Sequence, residues 1–487
     1  MELELRLDPN HASRLSRLPL LTPLRNGRAR GKKLRIVWYD GPDRPLAGQG
    51  LALAEQGQQW RLEQLYPNSA PWPPGGPTPF LATGQAPAAI VPDLPDPLTP
   101  IAAFEGRAVT LHLTTTPGPV TLTALHGALR AVASEHRVCR VRLDGPAEAV
   151  QDLALTLAGE LDLAVPRCCL AAEAMASASG TPPLPRRQGA PELPAKATIP
   201  EAFAHVVGHL SDVILHFAPA AAERQDGPEP VHQMRVAVRR LRSAIKVFRR
   251  AMRSALVQSA DAGLKTLAAK LAPTRDWDVF ATETVADVSN AFAADKRLAR
   301  LLAAVERRRR LCHDELRAYL TSSEFRRLGI ELACLAGRQD WPAILDATEQ
   351  AELTVELQDF AAKMLSKRLK RLTQPDTDLS SMEPAALHAL RLRAKRLRYA
   401  AEIFAPLYSG KTAARYIRRI SKLQDQLGKL NDATVAASLL AELNGNGGNH
   451  AFASGLVLGF IGARNRHTRG RIDRSWSRFA KLSPFWE

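Results

Sequence analysis

Two hydrophobic textures divide this chain. Over residues 1–175, runs such as Leu34–Tyr39, Gly50–Ala54 and Val109–Leu113 alternate apolar and polar side chains, separated by turn-rich stretches such as YDGPDRP and YPNSAPWPPGGPTP. Alternation sends successive side chains to opposite faces, which predicts antiparallel strands with one covered face. Helical spacing predicts helices at Val120–Glu135 and Ala147–Leu161, so this part is α+β. The opening MELELRL alternates as a strand, with Glu2, Glu4 and Arg6 on one face and Leu3, Leu5 and Leu7 on the other. Residues 176–197 are small, Pro-rich and without an apolar stripe, as in a linker. From about Ile199 the spacing changes to three and four, which predicts helices throughout 198–487, with breaks near Pro228, Pro230, Pro273, Pro384 and Pro406.

The helical part is duplicated. VHQMRVAVRRLRSAIKVF from Val231 recurs as LHALRLRAKRLRYAAEIF from Leu387, and LAPTRDWDV from Leu271 recurs as LGKLNDATV from Leu427, both displaced by 156 residues. The halves fall at about 198–340 and 341–487. In the first copy, Val231, Met234, Val238, Leu241, Ile245 and Phe248 form an apolar stripe that suits a bundle core. One residue later, about 100° around the helix, His232, Arg235, Arg239, Arg242, Lys246 and Arg249 form a basic stripe, of which Arg235 to Lys246 span roughly 16 Å. His388, Arg391, Lys395 and Arg398 repeat it, and Glu402 breaks the match opposite Lys246. An aspartate follows each histidine by 44 residues, at Asp276 and Asp432. Lone carboxylates without a base, nucleophile or metal partner are expected to pair with the basic helices rather than to catalyse.

Charge sharpens this division. The formal net charge is +17, with about +1 on residues 1–194 and about +16 on the rest, so a polyanionic partner belongs to the helical part. Basic side chains beside a core stripe often only reach into solvent. Repeating them at the same turns of two copies, with few acidic neighbours at i,i+4, favours a ligand, and the planar guanidinium suits phosphate oxygens. Five scattered cysteines without metal-ligand spacing suit a reducing compartment, and no signal peptide or apolar span is evident, so a cytoplasmic location is expected.

The duplicated motifs, with SSEFRRL at Ser322–Leu328 and WSRFAKLSPFW at Trp476–Trp486, resemble the CHAD domains over roughly Ile199–Glu487. The resemblance implies an all-α fold of two pseudo-symmetric four-helix bundles whose basic helices flank a cavity for inorganic polyphosphate, without a cofactor. The matching positions are His232, Arg235, Arg239, Arg240, Arg242 and Lys246, then His388, Arg391, Lys395, Arg396 and Arg398. Arg307 and Arg310, from the tetrad Arg307–Arg310, are secondary candidates with Arg464 and Arg466; Lys363, Lys367 and Lys370 read as a solvated face. The histidines suit ligand contact, pH response or helix capping. Association with polyphosphate granules is the expected setting.

Residues 1–175 resemble the CYTH domains, or triphosphate-tunnel enzymes, through MELELRL and WYDGPDRPLAGQGLAL. That resemblance implies an antiparallel β-tunnel of eight strands, lined by acids for Mg²⁺ or Mn²⁺ and by bases for a triphosphate. The sequence departs from the family where the chemistry belongs. LALAEQ carries Ala54, Glu55 and Gln56 where alternating arginines are expected, WRLEQLYP offers only Arg61, and CRVRLDG has arginines with a single acid, Asp144. A degenerate tunnel is expected, with Glu2, Glu4 and Arg6 as remnant candidates. The alternatives are a metal-dependent inorganic triphosphatase and nonspecific nucleic-acid binding. Against the latter, the basic stripes lack interleaved aromatics and polar base readers.

Overall fold

The computed structural model describes residues 1–65, 74–77, 80–132, 134–181, 191–194, 196–223, 227–249, 251–292, 295–341, 347–374, 379, 382–408, 410–445, 450–466 and 468–487. Its N-terminal part is one antiparallel sheet of β1 (Glu2–Arg6), β2 (Arg30–Asp40), β3 (Leu51–Gln56), β4 (Gln59–Gln64), β5 (Phe80–Gly84), β6 (Thr99–Thr115), β7 (Gly118–Ala131) and β8 (Ser134–Asp144). The spatial order is β1-β8-β7-β6-β2-β3-β4-β5. The sheet curls until the Glu4 amide donates to the Gly75 carbonyl at 2.6 Å, so the loop after β4 reaches the opposite edge. All eight strands contribute to a cavity of about 240 Å³. This is the curled, tunnel-like sheet expected.

The helix expected over Val120–Glu135 does not form, because β7 and β8 occupy that segment. Val120, Leu122 and Ala124 alternate into the core, and β7 is paired along its length with β6 and β8. Gly127 lies opposite Gly106, where a Cβ would come within 2.6 Å of the Gly106 Cα. A close backbone approach thus overrides the Ala- and Leu-rich helical propensity. The expected helix at 147–161 is present as α1 (Ala147–Glu160). α2 (Leu170–Ser179) takes up the first residues of the expected linker, while 182–190 and 195 of it lie outside the described residues.

The rest is helical. The first half contains α3 (Ile199–Glu223), α4 (Glu229–Phe248), α5 (Ala255–Val279), which continues through one π turn into α6 (Ala286–Ala291), α7 (Lys296–Leu320) and α8 (Ser323–Gly337). The second contains α9 (Ala347–Leu353), α10 (Leu357–Thr373), α11 (Pro384–Phe404), α12 (Gly410–Gly445), α13 (Ala451–Asn465) and α14 (Thr468–Ala480). Prolines in the first turns of α4 and α11 remove no helical hydrogen bond there, and Ser254 and Ser322 cap α5 and α8 through their hydroxyls. Pro273, expected at a break, lies inside α5 on its exposed side. Its missing N–H is tolerated there because water reaches the freed carbonyl.

α3, α4, α5 and α7 form one bundle; α10, α11 and α12 with α14 form the other, and α4 meets α11 between them. Phe248 lies within ring contact of Phe203 (5.5 Å), Phe360 (5.5 Å) and Phe404 (5.9 Å), which ties the halves together. α8 packs on α1 and β1, and the main hydrophobic core runs unbroken from Leu3 and Val150 through Leu332 to Val206 and Leu397. Among the described residues no helix is long and apolar enough to cross a membrane.

Candidate functional site

The apolar stripe of α4 is buried as its spacing demands, and this turns the adjoining basic stripe toward α11. There Arg235 and Arg239 of α4 meet Arg391, Lys395 and Arg398 of α11. The Lys395 ammonium feels this directly: burial, followed by Arg239, Arg391 and Arg235, pushes its pKa down to about 7. The Tyr399 ring stands among three of these cations, with Arg398 at 5.2 Å, Arg239 at 5.6 Å and Lys395 at 5.9 Å from its centre. The Arg239 guanidinium also donates to the Tyr399 hydroxyl. His232 is half-buried beside them, and burial, reinforced by Arg275, holds its imidazole below the ordinary range.

Two aspartates underlie this cluster. Asp276 lies 3.7 Å from Arg235, and Asp432 is the strongest anionic influence on Arg391, so each half sets its own aspartate near its own basic helix. Burial pushes both carboxyls above their ordinary values, against the pull of Arg235 on one and Arg391 on the other. The pairing expected of these aspartates is an ion pair at Asp276, while Asp432 acts on Arg391 through its charge.

Other candidates are placed elsewhere. Arg240 bonds Glu402 at 3.0 Å and Arg242 bonds Asp261 at 3.0 Å, so both hold helices together. Lys246 and Arg396 meet in a separate cavity between α4, α10 and α11. His388 is exposed. Neither histidine caps its helix, since the N-cap residues are Pro228 and Glu383, without side-chain capping bonds. In the tetrad, Arg308 bonds Glu442 at 2.6 Å and Arg309 bonds Asp278 at 2.7 Å, fastening α7 to its neighbours. Arg310 pairs with Glu306 and Arg464 with Asp287, while Arg307 and Arg466 are exposed. Arg275 and Tyr399 were missed by sequence reasoning. Arg275 precedes the repeated aspartate, and Tyr399 stands in the repeated motif where the first copy has Ser243, so a comparison of unlike positions could have found it.

The geometry of a duplicated helical scaffold with facing basic helices has a counterpart among known families. The CHAD domain family matches residues 197–441. The chain belongs to the CHAD family. Among solved structures, the CHAD domain from the plant Ricinus communis is 27% identical with a TM-score of 0.52, covering 62% of this chain and 98% of that one. PptA from Streptomyces chartreusis is 17% identical (TM-score 0.44; 58% and 100% covered). A putative adenylyl cyclase from Hippeastrum, described as having a dominant triphosphatase activity, is 14% identical (TM-score 0.26; 37% and 95% covered). No curated protein matches the chain.

Upstream of the CHAD domain, the curled sheet presents Glu4, Lys32, Arg61, Glu63, Arg140 and Arg142 to its cavity. Its carboxylates do not fit a divalent metal. Glu2 is bound by Arg142 at 3.0 Å, and Glu4 lies between Arg142 at 3.3 Å and Arg140 at 3.9 Å. Burial pushes the Glu63 carboxyl up, and the Trp38 indole donates to it at 3.3 Å. Arg140 also binds Glu173 of α2; although burial opposes it, Arg140 and His136 hold that carboxylate below its ordinary range. Arg6 is exposed and does not line the cavity. Among the described residues no group of three or more His, Cys, Asp or Glu side chains could hold a metal ion.

Proposed function

We propose that this CHAD protein binds inorganic polyphosphate between α4 and α11. The observation that carries the reading is the convergence of Arg235, Arg239, Arg391, Lys395 and Arg398 from two repeated helices, three of them around the Tyr399 ring, where burial, followed by the neighbouring arginines, pushes Lys395 down to about 7. A cluster of like charges held half-buried by the packing of two bundles is unfavourable when empty and is relieved by an anion. A chain of phosphates supplies one charge per residue along the groove, and each guanidinium replaces released counterions with charge-assisted hydrogen bonds. Asp276 and Asp432 hold the arginines beneath the ligand rather than act on it. Attachment to polyphosphate granules follows from such an affinity, and other polyanions are weaker partners.

The test is binding of long-chain polyphosphate by the full chain, with duplex DNA as competitor. Reversing Arg235, Arg239, Arg391 and Arg398 to Glu should lower affinity at least 100-fold with the helical signal retained. Unchanged affinity in that variant, or displacement by equimolar DNA phosphate, would overturn the reading. Affinity should rise with polyphosphate length until the groove is filled and level off beyond.

The curled N-terminal sheet serves structure or positioning in this reading, because Arg140 and Arg142 engage the two carboxylates of β1 that a metal would need. Incubating the full chain with tripolyphosphate and Mg²⁺ or Mn²⁺ should release no phosphate. Release that disappears in Glu4→Ala would show a working triphosphatase.

A further inference from the structure

The halves of the CHAD domain are related by a 156-residue shift, and one pair of contacts breaks that relation. Arg240 of α4 bonds Glu402 of α11 at 3.0 Å, with both side chains largely buried. The same shift carries Arg240 onto Arg396 and Glu402 back onto Lys246. On the second side of the α4–α11 contact, therefore, an ion pair is replaced by two cations, which act on each other. On that side lies a cavity of about 370 Å³, whose walls include Lys246 from α4, Lys367, Arg368 and Arg371 from α10, and Arg393 and Arg396 from α11. Among the described residues no acidic side chain lines it. Burial, followed by Arg371 and Arg396, lowers even the Arg368 guanidinium to about 10.

This cavity is distinct from the cluster around Tyr399. At 100° per residue, Arg393 and Arg396 leave α11 about 140–200° from Arg391, on the side away from Arg391, Lys395 and Arg398. The cavity's volume falls in the range of about 300–1,000 Å³ usual for small-ligand sites, so it suits a compact anion rather than an extended polymer. Three helices supply several guanidinium groups, which can grip neighbouring phosphoryl groups from several directions.

We propose that the cavity between α4, α10 and α11 is a second anion site, built for a short condensed phosphate group, whether that of a free oligophosphate or the tail of a nucleotide. It lies where Lys stands in place of Glu at one of two repeated positions, and it does not depend on whether the central groove binds polyphosphate.

The experiment is calorimetric titration of the full chain with tripolyphosphate and, in a parallel arm, with ATP. The expected result is one bound equivalent that survives Arg239→Glu with Arg391→Glu and is lost, at least tenfold in affinity, in Arg371→Gln with Arg393→Gln. Lys246→Glu supplies a second variant that restores an ion pair with Arg396 like that of Arg240 and Glu402, so it should keep or raise the melting temperature while losing the same equivalent. Comparable binding of both probes assigns recognition to the phosphates alone, and binding of tripolyphosphate alone assigns the site to free oligophosphates. The proposal is overturned if no equivalent shows that pattern, if both sets of variants abolish the same binding, or if only ATP binds.

Discussion

Lys395 is half-buried among Arg235 and Arg239 of α4 and Arg391 and Arg398 of α11, with a pKa near 7, so its charge depends on pH and on the ligand. An arriving phosphate favours the ammonium, and binding near pH 7 should therefore draw in a proton; titrations in buffers of unlike ionisation heat should show that uptake, and Lys395→Gln should remove it. The sign for the free protein is the reverse of a salt bridge. A lysine whose folded pKa lies below its unfolded value of about 10.4 weakens the fold fully below about pH 7, and the loss fades as pH rises toward the unfolded value. Lys395→Met should consequently raise the melting temperature more at pH 6 than at pH 10. Glu402 acts in the opposite sense, since it bonds Arg240 and also lies 3.5 Å from Arg398. Glu402→Gln should cost about 2 kcal/mol in denaturant unfolding, because it leaves partly buried guanidinium groups without their anion. Which turns carry cations was legible from the repeated residues. Which cations meet one another was not, because Arg239 and Arg240 are neighbours in sequence but face different partners across the α4–α11 crossing.

The elements follow their periodicity where burial and propensity agree. α4 and α11 do, since each has a proline in its first turn and an apolar stripe that ends in a phenylalanine at the centre of the molecule. Phe248 touches aromatic rings from α3, α10 and α11, so Phe248→Ala should cost about 3–5 kcal/mol in equilibrium unfolding and loosen both halves together. β7 is the opposite case. Its sequence TLTALHGALRA carries helix-favouring residues, yet Gly127 must meet Gly106 across the strands at a distance no side chain permits. Gly127→Val should prevent correct pairing of β6 with β7 and leave the chain largely insoluble on expression, whereas wild-type-like solubility and circular dichroism would show that the approach is not required. A single-strand pattern does not display its cross-strand partner, so the spacing of this segment alone predicts a helix.

At the scale of the whole molecule, the sheet and the CHAD domain share one core through α1 and α8. Gly329 of α8 lies where a Cβ would come within 3.2 Å of Leu215 and 3.9 Å of Val165, between the two parts, and Arg326 bonds Asp162 across the same junction. Cooperative unfolding in a single thermal transition is expected, and two transitions separated by more than about 10 °C would contradict a shared core. The sequence by itself determined the helical part, the duplication and the excess of cations on the second three fifths of the chain, because these are properties of spacing and residue type. Tertiary structure alone decided which repeated cations face a common space, which are neutralised by Asp261 or Glu402, and that Arg140 and Arg142 close over Glu2 and Glu4. The physical reason is that electrostatic function depends on distances between side chains brought together from different helices and strands, many of them more than a hundred residues apart, and those distances are set by how the helices cross and the sheet curls.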